Sequence, residues 1–120
     1  MKTALDPRHQ KRIERMQFLF ALGFSHIQEH DPSIDPIINK LPAIDEKITI
    51  SAPEWPIEKI AKPDLAILRL STYELMEGVE PPKVVIDEAI EMAKEFGNPT
   101  SPKFINGVLG SILANLEKTV

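Results

Sequence analysis

Lys62-Pro63-Asp64-Leu65-Ala66-Ile67-Leu68-Arg69-Leu70-Ser71-Thr72-Tyr73-Glu74-Leu75-Met76-Glu77-Gly78 is the stretch on which the fold turns. Pro63 suits the first turn of a helix, where a missing N–H costs nothing, and Gly78 supplies a stop. Between them Leu65, Ile67, Leu68, Leu70, Thr72, Leu75 and Met76 point nearly all round the axis. A helix apolar on every side is a buried helix, so this one is expected at the centre of the molecule. Downstream, Pro81-Pro82 opens an amphipathic helix with Val85, Ile86, Ala89, Ala93 and Phe96 inward and Asp87, Glu88, Glu91 and Glu95 toward water. Gly97 stands where a left-handed C-cap belongs. Ser101 reads as the N-cap of a last helix with Pro102 at its first position, and Phe104, Val108, Ile112 and Leu116 repeat along it.

Upstream, Asp6-Pro7 starts a long first helix, along which Ile13, Met16, Phe20 and Ile27 recur at helical spacing to about Glu29. Asp31-Pro32 ends it. From there to Pro56 the chain is broken by Pro36, Pro42 and Pro53, with Ile34, Ile37, Ile38, Leu41 and Ile44 between the breakers. Proline inside a helix costs about 3 kcal/mol, so only short helices fit, near residues 33–41, 43–50 and 56–61, with irregular chain as the alternative for part of the segment. No alternating apolar and polar run is bounded by hairpin turns, and no repeat is present, which excludes sheet and solenoid architectures. The expectation is an all-α single domain spanning residues 1–120 with a shortened, proline-rich middle.

Bulk properties agree with that class. The chain has 120 residues, 42% of them hydrophobic and 27% charged, and no cysteine. That length serves one core, no apolar run approaches the roughly 20 residues a membrane span needs, and no export signal is visible. A cytoplasmic setting without disulfides or thiol chemistry follows. Net charge is −4, unevenly placed: residues 1–15 carry five basic against two acidic side chains, whereas the remainder carries nine against sixteen. A small basic end on an acidic body grips phosphates locally, with modest, salt-dependent affinity.

Ala66-Ile67-Leu68-Arg69-Leu70-Ser71-Thr72-Tyr73-Glu74-Leu75, Pro82-Lys83-Val84-Val85-Ile86-Asp87-Glu88-Ala89 and Ser101-Pro102-Lys103-Phe104-Ile105-Asn106-Gly107-Val108-Leu109 form an ordered set. Together, over Pro63 to Leu113, they resemble the NusB family. These are small all-helical proteins that bind the boxA element of nascent RNA jointly with the ribosomal protein NusE and suppress premature transcription termination. The resemblance implies a compact helical fold, RNA and NusE as partners, indirect association with RNA polymerase, no membrane, no cofactor, no metal and no catalysis. The oligomeric state, monomer or homodimer, stays open.

Arg8, Lys11, Arg12 and Arg15 lie at i+3 and i+4 spacings and project to roughly one side of the first helix. A solvated face has the same composition; the resemblance assigns the tract to RNA, because the family carries an arginine-rich tract there, here diluted by His9, Gln10 and Glu14. Lys103-Phe104 opens the last helix, where free N–H groups, the helix dipole and a lysine favour a phosphate, and an aromatic ring can stack on an unpaired base. By spacing alone Phe104 is a core residue; the family's Lys-Phe-Val-Asn-Gly motif, matched by Lys103 to Gly107, contacts RNA. Thr100 stands near the motif where the family often has an acidic residue. Phe20 and Asp64 are, by spacing, a core aromatic and a helix-start acid. The resemblance places both on the surface that meets NusE.

Other motifs yield to structural readings. His26-Ile27-Gln28-Glu29-His30 matches H-x-x-E-H, but metalloprotease chemistry needs a third ligand and a cleft, for which this chain leaves no room. Arg69, Tyr73 and Glu74 on an otherwise apolar helix read as a buried ion-pair network. Gly107 and Gly110 read as sites of close helix packing, and Asn106 as a backbone tie. Two rivals accompany the antitermination reading: a helical adaptor that has lost RNA binding, and an accessory domain of a ribosomal RNA cytosine-5 methyltransferase. Met1 and the Thr119-Val120 end favour a complete protein over the second.

Overall fold

The structure is a computed structural model that describes residues 6–23 and 30–118. Its helices are α1 (Pro7–Leu22), α2 (Asp35–Asn39), α3 (Leu41–Ser51), α4 (Lys62–Glu77), α5 (Pro82–Phe96) and α6 (Ser101–Lys118), with 3-10 turns at Pro32–Ile34 and Ile57–Lys59. No strand occurs among the described residues. Prolines explain the punctuation. Pro7, Pro32, Pro36, Pro42, Pro63, Pro82 and Pro102 each lie in the opening turn of a helix, where a fixed φ helps and no N–H is missed. Pro53, Pro56, Pro81 and Pro99 lie in the connections.

The same rule decides the middle segment. Its prolines start helices rather than interrupt them, so residues 32–51 are almost continuously helical. Ile34, Ile37, Ile44 and Ile48 are fully buried. Each buried isoleucine contributes about 1.5–3 kcal/mol, which is why this stretch folds onto the core instead of remaining irregular. Asp6 and Asp31 cap the turns that follow them, their carboxylates accepting from the N–H of Arg8 and Ser33 at 2.9 Å. The described part of α1 ends at Gly23, and the expected continuation toward Ile27 and Glu29 lies outside the described residues.

α4 is the central helix. It packs against α1, α3, α5 and α6, and Ile67, Leu68, Leu70 and Thr72 have no exposed surface. α1 runs antiparallel to it: Arg12, early in α1, meets Glu74 near the end of α4, while Leu19 and Phe20 share a groove with Leu65 and Ala66 near its start. Gly78 closes α4 at φ 68°, a left-handed conformation that needs glycine.

Four local expectations are corrected. Gly97 is extended (φ −95°, ψ −167°) and not left-handed; glycine is required because a Cβ would stand 2.5 Å from Ser101 Oγ and 2.8 Å from the Ala93 carbonyl oxygen. Ser101 lies inside α6 and its hydroxyl turns back to accept from the Asn98 N–H at 3.0 Å. Glu88 is buried rather than solvated, for reasons given below. Gly107 and Gly110 face open space, where an added Cβ would meet no atom within 4 Å, so they serve no close packing, and Asn106 is exposed.

Candidate functional site

The basic cluster of α1 divides in two. Arg8, Lys11 and Arg15 line a shallow surface with Tyr73, Glu77 and Val79 from the end of α4 and the loop after it. Arg8 is 76% exposed at its side chain and only loosely held by Asp6, at 3.6 Å. Lys11 is exposed and Arg15 half-buried. Arg12 borders the same surface together with Glu74 and Glu80, but its guanidinium is held inward by carboxylates. Its Nε donates to both Glu74 oxygens at 3.0 Å, Nη2 to Glu74 Oε1 at 2.8 Å and Nη1 to Glu88 Oε1 at 3.3 Å. Desolvation pulls the Arg12 pKa down, but the hydrogen bond and charge of Glu74, with Glu88 and Glu80 beyond it, outweigh this and leave it raised. His9 Nδ1 completes the group, 2.9 Å from Glu88 Oε1. Arg12 and His9 are therefore what draws Glu88 inside, and Arg12 locks α1 to α4 and α5 instead of facing solvent.

A second place forms where α4 and α6 begin. The loop Gly97–Thr100 is held by Asn98, whose Oδ1 accepts from the Thr100 N–H at 2.9 Å and its hydroxyl at 2.7 Å. Lys103 is exposed on the first turn of α6, and Phe104 beside it is half-buried, packed against the core on one side. Trp55 approaches Phe104 edge-on, with ring centroids 6.0 Å apart at 71°. These rings, with Lys59, Asp64 and Lys103, line a cleft of about 400 Å³. Phe104 thus serves both readings, its inner edge in the core and its outer edge in a cleft.

Asp64 does not reach the surface expected of it. It is 5% exposed, and its Oδ1 has no hydrogen-bond partner. Burial pushes its carboxyl above the usual range, with the Ser101 hydroxyl pulling weakly the other way. The cause is the tight junction of Gly97 and Ser101, which brings α6 over the start of α4. Phe20 lies half-buried in a separate groove with Gly23, Ile57, Leu65 and Arg69. Phe20 and Asp64 therefore open onto different surfaces.

The polar residues of α4 form two pairs rather than one network. Arg69 grips Asp45 of α3 through two bonds of 2.9 and 2.8 Å, while Glu74 belongs to Arg12. Lys40 lies 5.9 Å from the Tyr73 ring centroid and bonds Glu77. Among the described residues no cluster of acidic or histidine side chains fits a metal. His26 and most of the H-x-x-E-H pattern lie outside the described residues; His30 meets Asp35 at 2.6 Å. Sequence reasoning missed Trp55 and Lys59; the signal available was a lone tryptophan between Pro53 and Pro56, a large aromatic that flanking prolines keep out of a helix.

The two cationic places lie at opposite ends of α4, because Glu74 marks one and Asp64 the other. Ten residues of helix separate them by about 15 Å along the axis.

The NusB family pattern matches residues 9–114. A transcription antitermination protein NusB from Wolinella succinogenes is 38% identical over 117 residues, covering 98% of this chain and 80% of that protein. One from Geobacillus kaustophilus is 34% identical over 128 residues, covering 92% and 98%. The solved structure of T. maritima NusB superposes with a TM-score of 0.82 at 32% identity, over 95% of this chain and 93% of that one. With sequence pattern, relatives and helix arrangement all in agreement, this chain belongs to the NusB family.

Proposed function

We propose that this protein is a transcription antitermination factor that binds boxA-type single-stranded RNA together with the ribosomal protein NusE during ribosomal RNA synthesis. The observation that carries the reading is Lys103-Phe104: an exposed cation and a half-exposed ring on the first turn of a helix, in a chain of this family. Phosphate is favoured there by the helix dipole, and an unstacked base by the ring. Arg8, Lys11 and Arg15 supply a second phosphate contact, so one RNA strand runs between the two ends of α4. Arg12 supports this indirectly by fixing the α1 face. The groove of Phe20 with Leu65 and Arg69 is the surface offered to NusE, and Asp64 takes no direct part in it.

Few cations contact the RNA and the body is acidic, so affinity without the partner is modest and the ternary complex forms cooperatively. The protein acts as a binding module of one domain in the cytoplasm, holding the transcript to RNA polymerase through NusE. It has no catalytic step. Fluorescence anisotropy of labelled boxA RNA, with and without NusE and beside a scrambled RNA at two salt concentrations, tests this. Selective binding that tightens with NusE is expected. Equal, weak and salt-sensitive binding of both RNAs, unchanged by NusE, would turn the reading to a helical adaptor without RNA function.

A further inference from the structure

Among the described residues, Lys11, Arg15, Lys47, Lys59, Lys103 and Lys118 make no ion pair. They fall two by two beside the large apolar side chains that stay exposed there: Lys11 and Arg15 with Val79, Lys59 and Lys103 with Trp55, Lys47 and Lys118 with Ile50. The first two places belong to the RNA reading. The third does not, because its apolar lining is aliphatic and offers no ring on which a base could stack.

This third place is a groove of about 340 Å³ between the end of α3 and the end of α6. Ile112 is its buried floor, Leu116 is half-buried, and Ile50 stands 62% exposed on the α3 side. A β-branched residue gains little from an exposed helix position, and apolar surface rimmed by polar groups marks contact sites. Lys47 and Lys118 are the charged residues that line the groove, and Asn115 adds an exposed amide. The C-terminal end of α3 brings a partial negative charge of roughly half a unit, which two ammonium groups exceed. None of these residues lines the surfaces around Phe20, Phe104 or Arg8, and Lys118 lies roughly 22 Å along α6 from Lys103.

We propose that the groove is a docking site for a second protein, taking a short amphipathic segment with large aliphatic side chains and flanking carboxylates. Charge complementarity selects this occupant: a net charge of −4 repels acidic chains from the body, while the two lysines draw carboxylates to the groove. Aliphatic side chains enter between Ile50, Ile112 and Leu116, as an amphipathic helix lays its apolar face in a groove. A second copy of the chain is disfavoured, because a two-fold contact here sets lysine against lysine. The few lining residues also fall far short of the roughly 20–30 a side in a stable interface. The contact is small, so its affinity is modest, and it leaves the RNA surfaces free.

The probe is a fluorescein-labelled synthetic helix of about 15 residues, near the shortest that holds in water, with a leucine stripe bordered by glutamates. Two companions carry lysine for glutamate, or alanine for leucine. Each is titrated by anisotropy into the full chain at low salt, without boxA RNA and then with it. The glutamate peptide is expected to bind about tenfold tighter than either companion, equally well with RNA present. Ile50→Ala, at an exposed position, weakens it by about tenfold and binds RNA as the parent chain does. Lys47→Glu combined with Lys118→Glu inverts the preference toward the lysine peptide while the chain still melts cooperatively. A glutamate peptide that fails to bind, or a preference for it that survives the double charge reversal, overturns the docking site and leaves the RNA reading untouched. Displacement of the peptide by RNA assigns the two lysines to the RNA path, and a dimer in sedimentation that Ile50→Ala dissociates gives the groove to a second copy; each overturns the proposal.

Discussion

Arg12 shows how one side chain can be assigned a surface role by spacing and a structural one by its partners. Its position in a cationic tract is visible in the sequence; that Glu74 and Glu88, more than sixty residues away, converge on it is not. With its side chain and that of Glu88 10% and 2% exposed, truncation leaves an unpaired carboxylate inside. Arg12→Ala is expected to lower stability by about 3 kcal/mol, measured by urea denaturation, whereas Arg8→Ala on the solvated side shifts it by less than about 0.5 kcal/mol. Asp64 makes the complementary case. Its carboxyl pKa is raised in the folded state, so the native protein binds more protons than the unfolded chain between the ordinary carboxylate value and the raised one. Stability contributed by this group is therefore lost as pH rises through that window. Asp64→Asn should raise the melting temperature at neutral pH by about 4 °C per kcal/mol relieved, and the gain should shrink as pH falls through the raised value toward about 4, below which it no longer changes. A gain that grows on acidification would contradict the burial argument.

Among the elements, α1, α4, α5 and α6 start where prolines and apolar spacing put them, whereas the middle segment and the junctions do not follow so directly. The pieces expected near 33–41 and 43–50 become α2 and α3 with other bounds, and the one expected near 56–61 is only a 3-10 turn. α4 and α5 begin and end where Pro63, Gly78 and Pro82 put them. The turn from α5 to α6 was legible as a glycine and a serine, but their task was not: Gly97 gives way to the Ser101 hydroxyl, a contact between residues in two helices' ends that periodicity does not encode. Gly97→Ala should cost about 1–3 kcal/mol and loosen the start of α6. Gly107→Ala and Gly110→Ala meet open space in the middle of a helix, and each is expected to stabilise by about 0.5–1 kcal/mol. Thermal melts of the three variants check both signs, and a destabilised Gly110→Ala would show a neighbour that the fold places elsewhere.

Across the molecule, an acidic body carries two small cationic places, and the proposed RNA binding is tested there. Lys103→Ala and Arg15→Ala should each weaken RNA binding and reduce the dependence of log affinity on log salt by about 0.7, with melting unchanged. A salt slope that stays put in both would remove those residues from the RNA path. The helical class, the central helix and the cationic tract of α1 with Lys103 were readable along the chain, because local rules govern them: proline sets the first turn, apolar spacing sets the buried face, and charge is counted residue by residue; Lys59 was not. Which of those charges remain for a partner emerged only from the packed helices. Whether an arginine meets water or a glutamate, and whether an aspartate reaches the surface or lies under a helix end, depends on residues distant in the chain, and long-range electrostatic pairing leaves no periodic trace in a sequence.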